Sequence, residues 1–201
     1  MSKLEIGRLL RADTSGFVVG CRAAQSTSPS FGSLVSVPQE GDFAIYGLVH
    51  DIRIDDDGLV RQLATAEGVE ESVIADNRIN RNVPLEISVI AVGYLKEGRI
   101  YHLLPPRPPL SLDVIYLCEP EELRLFTGSG SFGYFRHILR QEELPTGELL
   151  AAHIRQANEA HAAAENDIWA KAAIREIITQ LRDDYPSLMT VLRAIGEIYD
   201  L

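Results

Sequence analysis

PLEISVIAVGYLKEGRIYHLLP, residues 84–105, decides how this chain is read. Isoleucine, valine, leucine and tyrosine crowd both sides of Lys96-Glu97-Gly98. Such residues suit a pleated, packed surface, and a glycine at the break suits the positive φ of a tight turn. The pattern predicts two strands joined by a hairpin.

The residues on the N-terminal side extend the same texture. LEIGRLLRA (4–12), GFVVGCRAA (16–24) and GSLVSVP (32–38) are short apolar runs divided by Asp-Thr-Ser-Gly and Ser-Thr-Ser-Pro-Ser clusters. FAIYGLVHDIRI (43–54) is longer, alternates only in part, and ends at Asp55-Asp56-Asp57-Gly58, a strong turn signal. LVRQL (59–63) is read as a returning strand, and 70–82 as a short helix or an irregular excursion. Many short strands at close spacing predict a small closed β-barrel, because closure removes exposed edges.

PPRPP, at 105–109, interrupts this pattern. Consecutive prolines lack N–H donors and favour a stiff, extended spacer. The expected organisation is a β-barrel over 1–105, a spacer over 106–118 and an α-helical domain over 119–201. Within the spacer, SLDVIYL (111–117) is one further strand, either completing the barrel or lying beside it. PEELRLF (120–126) has the proline and acids of a helix start. Helical spacing then recurs in FGYFRHILRQ (132–141), from Thr146 onward, through Ile168 to Leu181, and after Pro186.

One glycine-rich stretch invites a nucleotide. TGSGSFG contains Gly128, Gly130 and Gly133, spelling G-x-G-x-x-G. A P-loop ending at Gly130 needs an earlier glycine where Leu125 stands and a lysine where Ser131 stands. A dinucleotide loop needs a preceding strand and an acid ending a second strand, but PEELRLF reads as helix and Glu148 lies in a helical segment. The glycines are read as a turn between two helices, with Phe132 and Phe135 entering the core.

Other candidates also lose to plainer readings. Aligning Gly58 with an EF-hand glycine puts Arg53 and Ala64 at ligand positions. No two of His50, His102, His137, His153 and His161 stand four apart, although His153 and His161 can share a helix face; the five are read as surface histidines. His50 and Asp51 are adjacent in a strand and point to opposite faces. Glu121-Glu122 and Glu142-Glu143 read as solvated helix ends, and Arg78 and Arg81 among Asn77, Asn80 and Asn82 as a solvated loop.

The bulk numbers narrow the function classes. The chain has 201 residues, a hydrophobic fraction of 46% and a net charge of -10. That charge argues against holding nucleic acid by phosphate neutralisation. Cys21 and Cys118 form no C-x-x-C pair and are read as reduced thiols of a cytoplasmic protein. Glu5, Arg8, Arg11 and Asp13 break the N-terminal apolar character, unlike a signal peptide, and no apolar run reaches the ~20 residues that span a bilayer.

IGRLLRADTSGFVVGC (6–21), GSLVSVP (32–38), FAIYGLVHDI (43–52) and PLEISVIAVGYL (84–95) together resemble the HAS-barrel, the small β-barrel named for HerA-type ATPases and the rotary ATP synthase. The resemblance covers about half the chain. In that family the barrel forms an N-terminal crown on a ring-shaped motor. HerA-like proteins continue into a P-loop ATPase domain, whereas this chain continues into helices, so no catalytic residue carries over. The resemblance implies a barrel without its motor.

The function expected is therefore a non-enzymatic assembly or partner-docking module without a cofactor. Its partner would be another copy of itself or a HerA-like ATPase. Phe126, Phe132, Tyr134 and Phe135 are the candidate partner interface. The alternative is an enzyme or nucleotide-binding protein whose site is assembled from scattered residues around His50, His137 or the glycine loop. A third possibility is a nucleic-acid-processing accessory that contacts DNA only within a larger complex.

Overall fold

The computed structural model describes residues 3–23, 29–54, 58, 65, 70–72, 83–166 and 168–199. The Asp55–Asp57 turn, the 59–63 strand, the Arg78 and Arg81 cluster and most of the 70–82 segment lie outside the described residues. Seven strands are described: β1 (Glu5–Ala12), β2 (Gly16–Ala23), β3 (Leu34–Gln39), β4 (Phe43–Ile54), β5 (Val83–Lys96), β6 (Arg99–Tyr101) and β7 (Val114–Leu117). They are followed by α1 (Pro120–Thr127), α2 (Phe135–Leu139), α3 (Thr146–Ala162), α4 (Trp169–Gln180) and α5 (Tyr185–Tyr199).

Six of the strands close an antiparallel ring in the order β2-β1-β7-β3-β4-β5, and β5 returns to β2. The sequence expectation of a small closed barrel followed by helices is thus the observed fold. β6 extends the sheet beyond β5 as a hairpin whose turn residues, Glu97 and Gly98, both have positive φ (50° and 73°). Of the two roles open to the strand after the prolines, β7 takes the closing one, pairing with β1 on one side and β3 on the other. The second of the two strands expected within 84–105 stops at Tyr101.

The barrel interior is filled by Ile6, Leu9, Phe17, Val19, Val35, Val37, Ile45, Val49, Ile87, Val89 and Ile115, all buried. Side chains on a strand alternate between faces, so the neighbours of these residues should face water. On β4 and β5 they do not. Tyr46, Leu48, Ile90 and Val92 point out of the barrel and are covered by helices, in one cluster with Phe126, Phe135, Ile138, Leu149, Leu150 and Ile154. Burial on both faces is why FAIYGLV shows only partial alternation.

The helices begin and end for local reasons. α1 opens on a proline with Glu121 and Glu122 in its first turn, where acids meet the positive end of the helix dipole. A single 3-10 turn at Gly130–Phe132 separates α1 from α2, and Gly130, Ser131 and Phe132 all have positive φ. On α3, Leu149, Leu150, Ile154, Ala157 and Ala160 form the buried stripe.

Gly93 fixes how closely the helices approach. A Cβ there would lie 2.6 Å from the Tyr101 carbonyl oxygen and 2.9 Å from the Phe126 ring. Neither neighbour can yield without moving the β5–β6 hairpin or the ring that seats α1. Gly93→Ala is expected to cost about 1–3 kcal/mol, the usual penalty of overpacking, read as a lower urea midpoint at unchanged slope.

The histidine-lined seam and the candidate interaction surface

Barrel and helices meet along an aromatic seam. Phe126, at the end of α1, lies 4.8 Å from the Tyr46 ring, 4.8 Å from His102 and 5.3 Å from Tyr134, measured between ring centroids. Tyr134 continues to Phe135 at 4.6 Å, and Phe135 stacks on Phe132 at 5.6 Å. Phe132 in turn meets Trp169 of α4 at 5.6 Å.

This placement corrects the surface proposed from sequence. Phe126, Tyr134 and Phe135 are fully buried, and Phe132 is half-buried. In this fold they join the two halves of one chain and offer almost no surface to another protein. The cause is the outer wall of β4 and β5, which supplies the apolar surface these rings cover.

The surface reading of the histidines is corrected for three of the five. His102, His153 and His161 are buried, and His50 and His137 are partly so. Each buried ring ties distant segments together. His153 lies 3.1 Å from the Gly32 carbonyl through Nδ1 and 3.0 Å from the Tyr134 hydroxyl through Nε2. A carbonyl only accepts, so Nδ1 carries the proton and Nε2 accepts from the tyrosine. The loop before β3, α3 and the start of α2 are joined through this one ring.

The same logic assigns His161. Thr127 donates to the Leu123 carbonyl at 2.7 Å, so its oxygen accepts from His161 Nε2 at 2.9 Å. The His161 ring stacks on Trp169 at 4.7 Å, and Trp169 Nε1 donates to the Thr127 carbonyl. His102 Nε2 donates to the Phe126 carbonyl at 3.1 Å, while the His102 carbonyl accepts from Arg136 and from His137 Nε2. α1, α2, α3 and α4 are thereby clasped to one another and to the end of the β5–β6 hairpin.

Electrostatics keep these rings neutral. Burial pushes His153 from 6.5 down to about 4, and the Gly32 bond opposes this only in part. Burial also lowers His102, His137 and His161, with nearby arginine charge adding to the effect. Tyr46 is shifted the other way, raised by burial and by the Glu122 carboxylate to which it donates at 3.0 Å. Lys3 bridges the same carboxylate at 3.0 Å, so α1 is pinned to β4 and to the N-terminal segment. Chemically, the seam combines neutral histidine cross-links with the Lys3–Glu122 ion pair.

Exposed apolar residues stand elsewhere, on the strap, near β1, at Ile54 and on or beside the helices at Leu125, Ile168, Ile178 and Tyr185. Leu103 and Leu104 are 52% and 43% exposed, and Leu110 and Leu112 are 69% and 67% exposed. All four lie on the strap from β6 to β7, which Pro105 and Pro109 anchor by burial. Pro106 and Arg107 line a cleft of about 520 Å³ with Glu40–Phe43, Lys96 and Glu97. Leu4 and Leu10 are exposed on the β1 side of the barrel. Among the described residues, no group of three metal-binding side chains converges, no helix is long and apolar enough to cross a membrane, and Cys21 and Cys118 are free thiols.

No family model matches the chain, and no curated protein matches its sequence. Its class is defined by geometry: a closed six-strand antiparallel barrel with one wall covered by a helical C-terminal region.

Folding strength should follow the seam histidines. The unfolded chain binds protons near the ordinary histidine pKa of about 6.5, whereas folded His153 does so only near 4. The contribution of neutral His153 is therefore full above pH 6.5 and declines as pH falls toward 4. The loss is on the order of 3 kcal/mol across that window. His153→Gln should give a shallower decline between the same limits, measured by urea denaturation at stepped pH.

Proposed function

We propose that this chain is a non-enzymatic docking module that binds a partner protein through its leucine-bearing proline strap. The observation that carries the reading is the exposure of Leu103, Leu104, Leu110 and Leu112 on a single connection held at both ends by the barrel. Leucines at this exposure leave apolar surface in water, and clustered apolar surface on a folded domain marks interaction sites. A strap stiffened by prolines loses little further freedom on binding, so more of its contact energy is retained.

The resemblance to the HAS-barrel suggests the partner: the ring of a HerA-like ATPase, a motor for which this chain would be an accessory. The helical half covers the barrel wall at β4 and β5, which leaves β1, β7 and the strap for docking.

Purified chain mixed with a HerA-like ATPase from the same cell is expected to co-elute with it in gel filtration. Leu103→Ser combined with Leu104→Ser should abolish co-elution while leaving the far-ultraviolet circular dichroism and the melting temperature in place, since both side chains already face water. Separate elution of the unaltered chain would defeat the ATPase assignment. Undiminished binding by the double variant would remove the strap from the interface.

A further inference from the structure

We infer that the outer face of β1, centred on Gly7, is an interface with a second copy of this chain across a twofold axis. Leu10 and Leu112 of one copy cover Leu4 of the other, and Glu5 of each faces Arg8 of its mate. The inference rests on the docking reading above, shares Leu112 with it, and assigns a different occupant to the β1 face.

The strand geometry puts these residues together. Two bulges, between Glu5 and Gly7 and between Leu9 and Arg11, reset the alternation of β1. Ile6 and Leu9 therefore enter the barrel, while Leu4, Glu5, Arg8 and Leu10 remain exposed. Arg8 pairs with Val114, and Leu9 exchanges bonds with Asp113 and Leu112 at 2.9 Å each. That register sets Leu112 against Leu9, one residue from Leu10 along β1. The Leu10 side chain lies across Gly20 of β2, so it faces outward.

The turn beyond is fixed at some cost. Asp113 accepts from the Leu110 amide at 2.7 Å and from Gln39 at 2.6 Å, and Arg8 donates to the Leu112 carbonyl at 3.2 Å. These bonds hold Leu112 at φ 70°, a conformation that side chains rarely adopt. A branched side chain is thus forced into solvent at 67% exposure by contacts that do not use it.

Charge selects the occupant. Lys3 and Arg11 are already bridged within the chain, to Glu122 and Glu86. Among the described residues, Arg8 has no carboxylate within ion-pair distance, and neither does Glu5 have a cation. An acid at one end of a short strand face and a base three residues on is self-complementary when two such faces meet antiparallel. Setting Glu5 against Arg8 fixes the sum of paired residue numbers at 13, with its midpoint between Ile6 and Gly7, and brings Leu4 within one residue of Leu10. Gly7 stands beside this midpoint, and a Cβ there would meet Gly20 and Cys21 of β2, so its bare backbone keeps β1 close to its own neighbour. A twofold contact of this kind closes as a dimer.

Sedimentation velocity of the full chain, from micromolar to near-millimolar concentration, tests this. A dimer is expected, weakened about tenfold or more by Glu5→Arg or Arg8→Glu alone and restored when both are reversed together. Leu112→Gly should also weaken the dimer without lowering the melting temperature of the monomer, because glycine takes positive φ freely. A monomer at every concentration overturns the inference. So does an assembly that the single reversals and the double reversal leave equally strong, or a larger ring that Leu112→Gly leaves intact. If the chain is monomeric yet still co-elutes with the ATPase, the docking reading stands and this interface does not.

Discussion

Tyr46, Leu48, Ile90 and Val92 give the barrel an apolar outer wall, and covering that wall is the constraint on which the structure depends. A small barrel normally keeps its side-chain alternation, with one face toward its own core and one toward water. Here two adjacent strands surrender their outer face. The helices are consequently not an appendage on a linker: α1, α2 and α3 complete a second core whose other half is sheet. Gly93, whose bare backbone receives Phe126, and Tyr46, which donates to Glu122, set the depth and the angle of that contact.

Polar groups within such a seam need partners, because each unpaired one would forfeit its hydration. His153 and His161 meet this need with an economy that side chains carrying one polar atom lack. A neutral imidazole donates at one nitrogen and accepts at the other, so His153 joins a loop carbonyl to a tyrosine hydroxyl across three elements. The residue types that suggest catalysis in a sequence serve here as joinery. Their neutrality is the condition of that role, which makes acid the natural solvent in which to look for the seam loosening.

The strands were legible because period-two patterning, Lys96-Glu97-Gly98 and the serine-rich breaks report local chemistry. The helix starts at Pro120 and Thr146 were legible for the same reason. Closure by β7 was not, since a four-residue strand after a proline strap carries no local sign of which neighbours it will take. The aromatic group was found but misplaced: composition marks Phe126 and Tyr134 as contact residues without saying that the contact is with their own barrel. The buried histidines had a readable sign. Leu149, His153, Ala157 and His161 stand four apart, so both rings share the apolar stripe of α3. Leu10 had none, because its exposure is decided by register, and two bulges on β1 shift it.

The position of β7 in the ring has a consequence for the order in which the protein is made. Synthesis runs from the N-terminus, and six strands are complete before the prolines appear. Until Leu117 has been added, however, the edges of β1 and β3 that β7 covers in the finished ring lack their partner. The native ring therefore cannot be completed until the whole of the strap and β7 have been made. Closure and the arrival of α1 are then nearly simultaneous, because only Cys118 and Glu119 separate the sealing strand from the first helix that covers the wall.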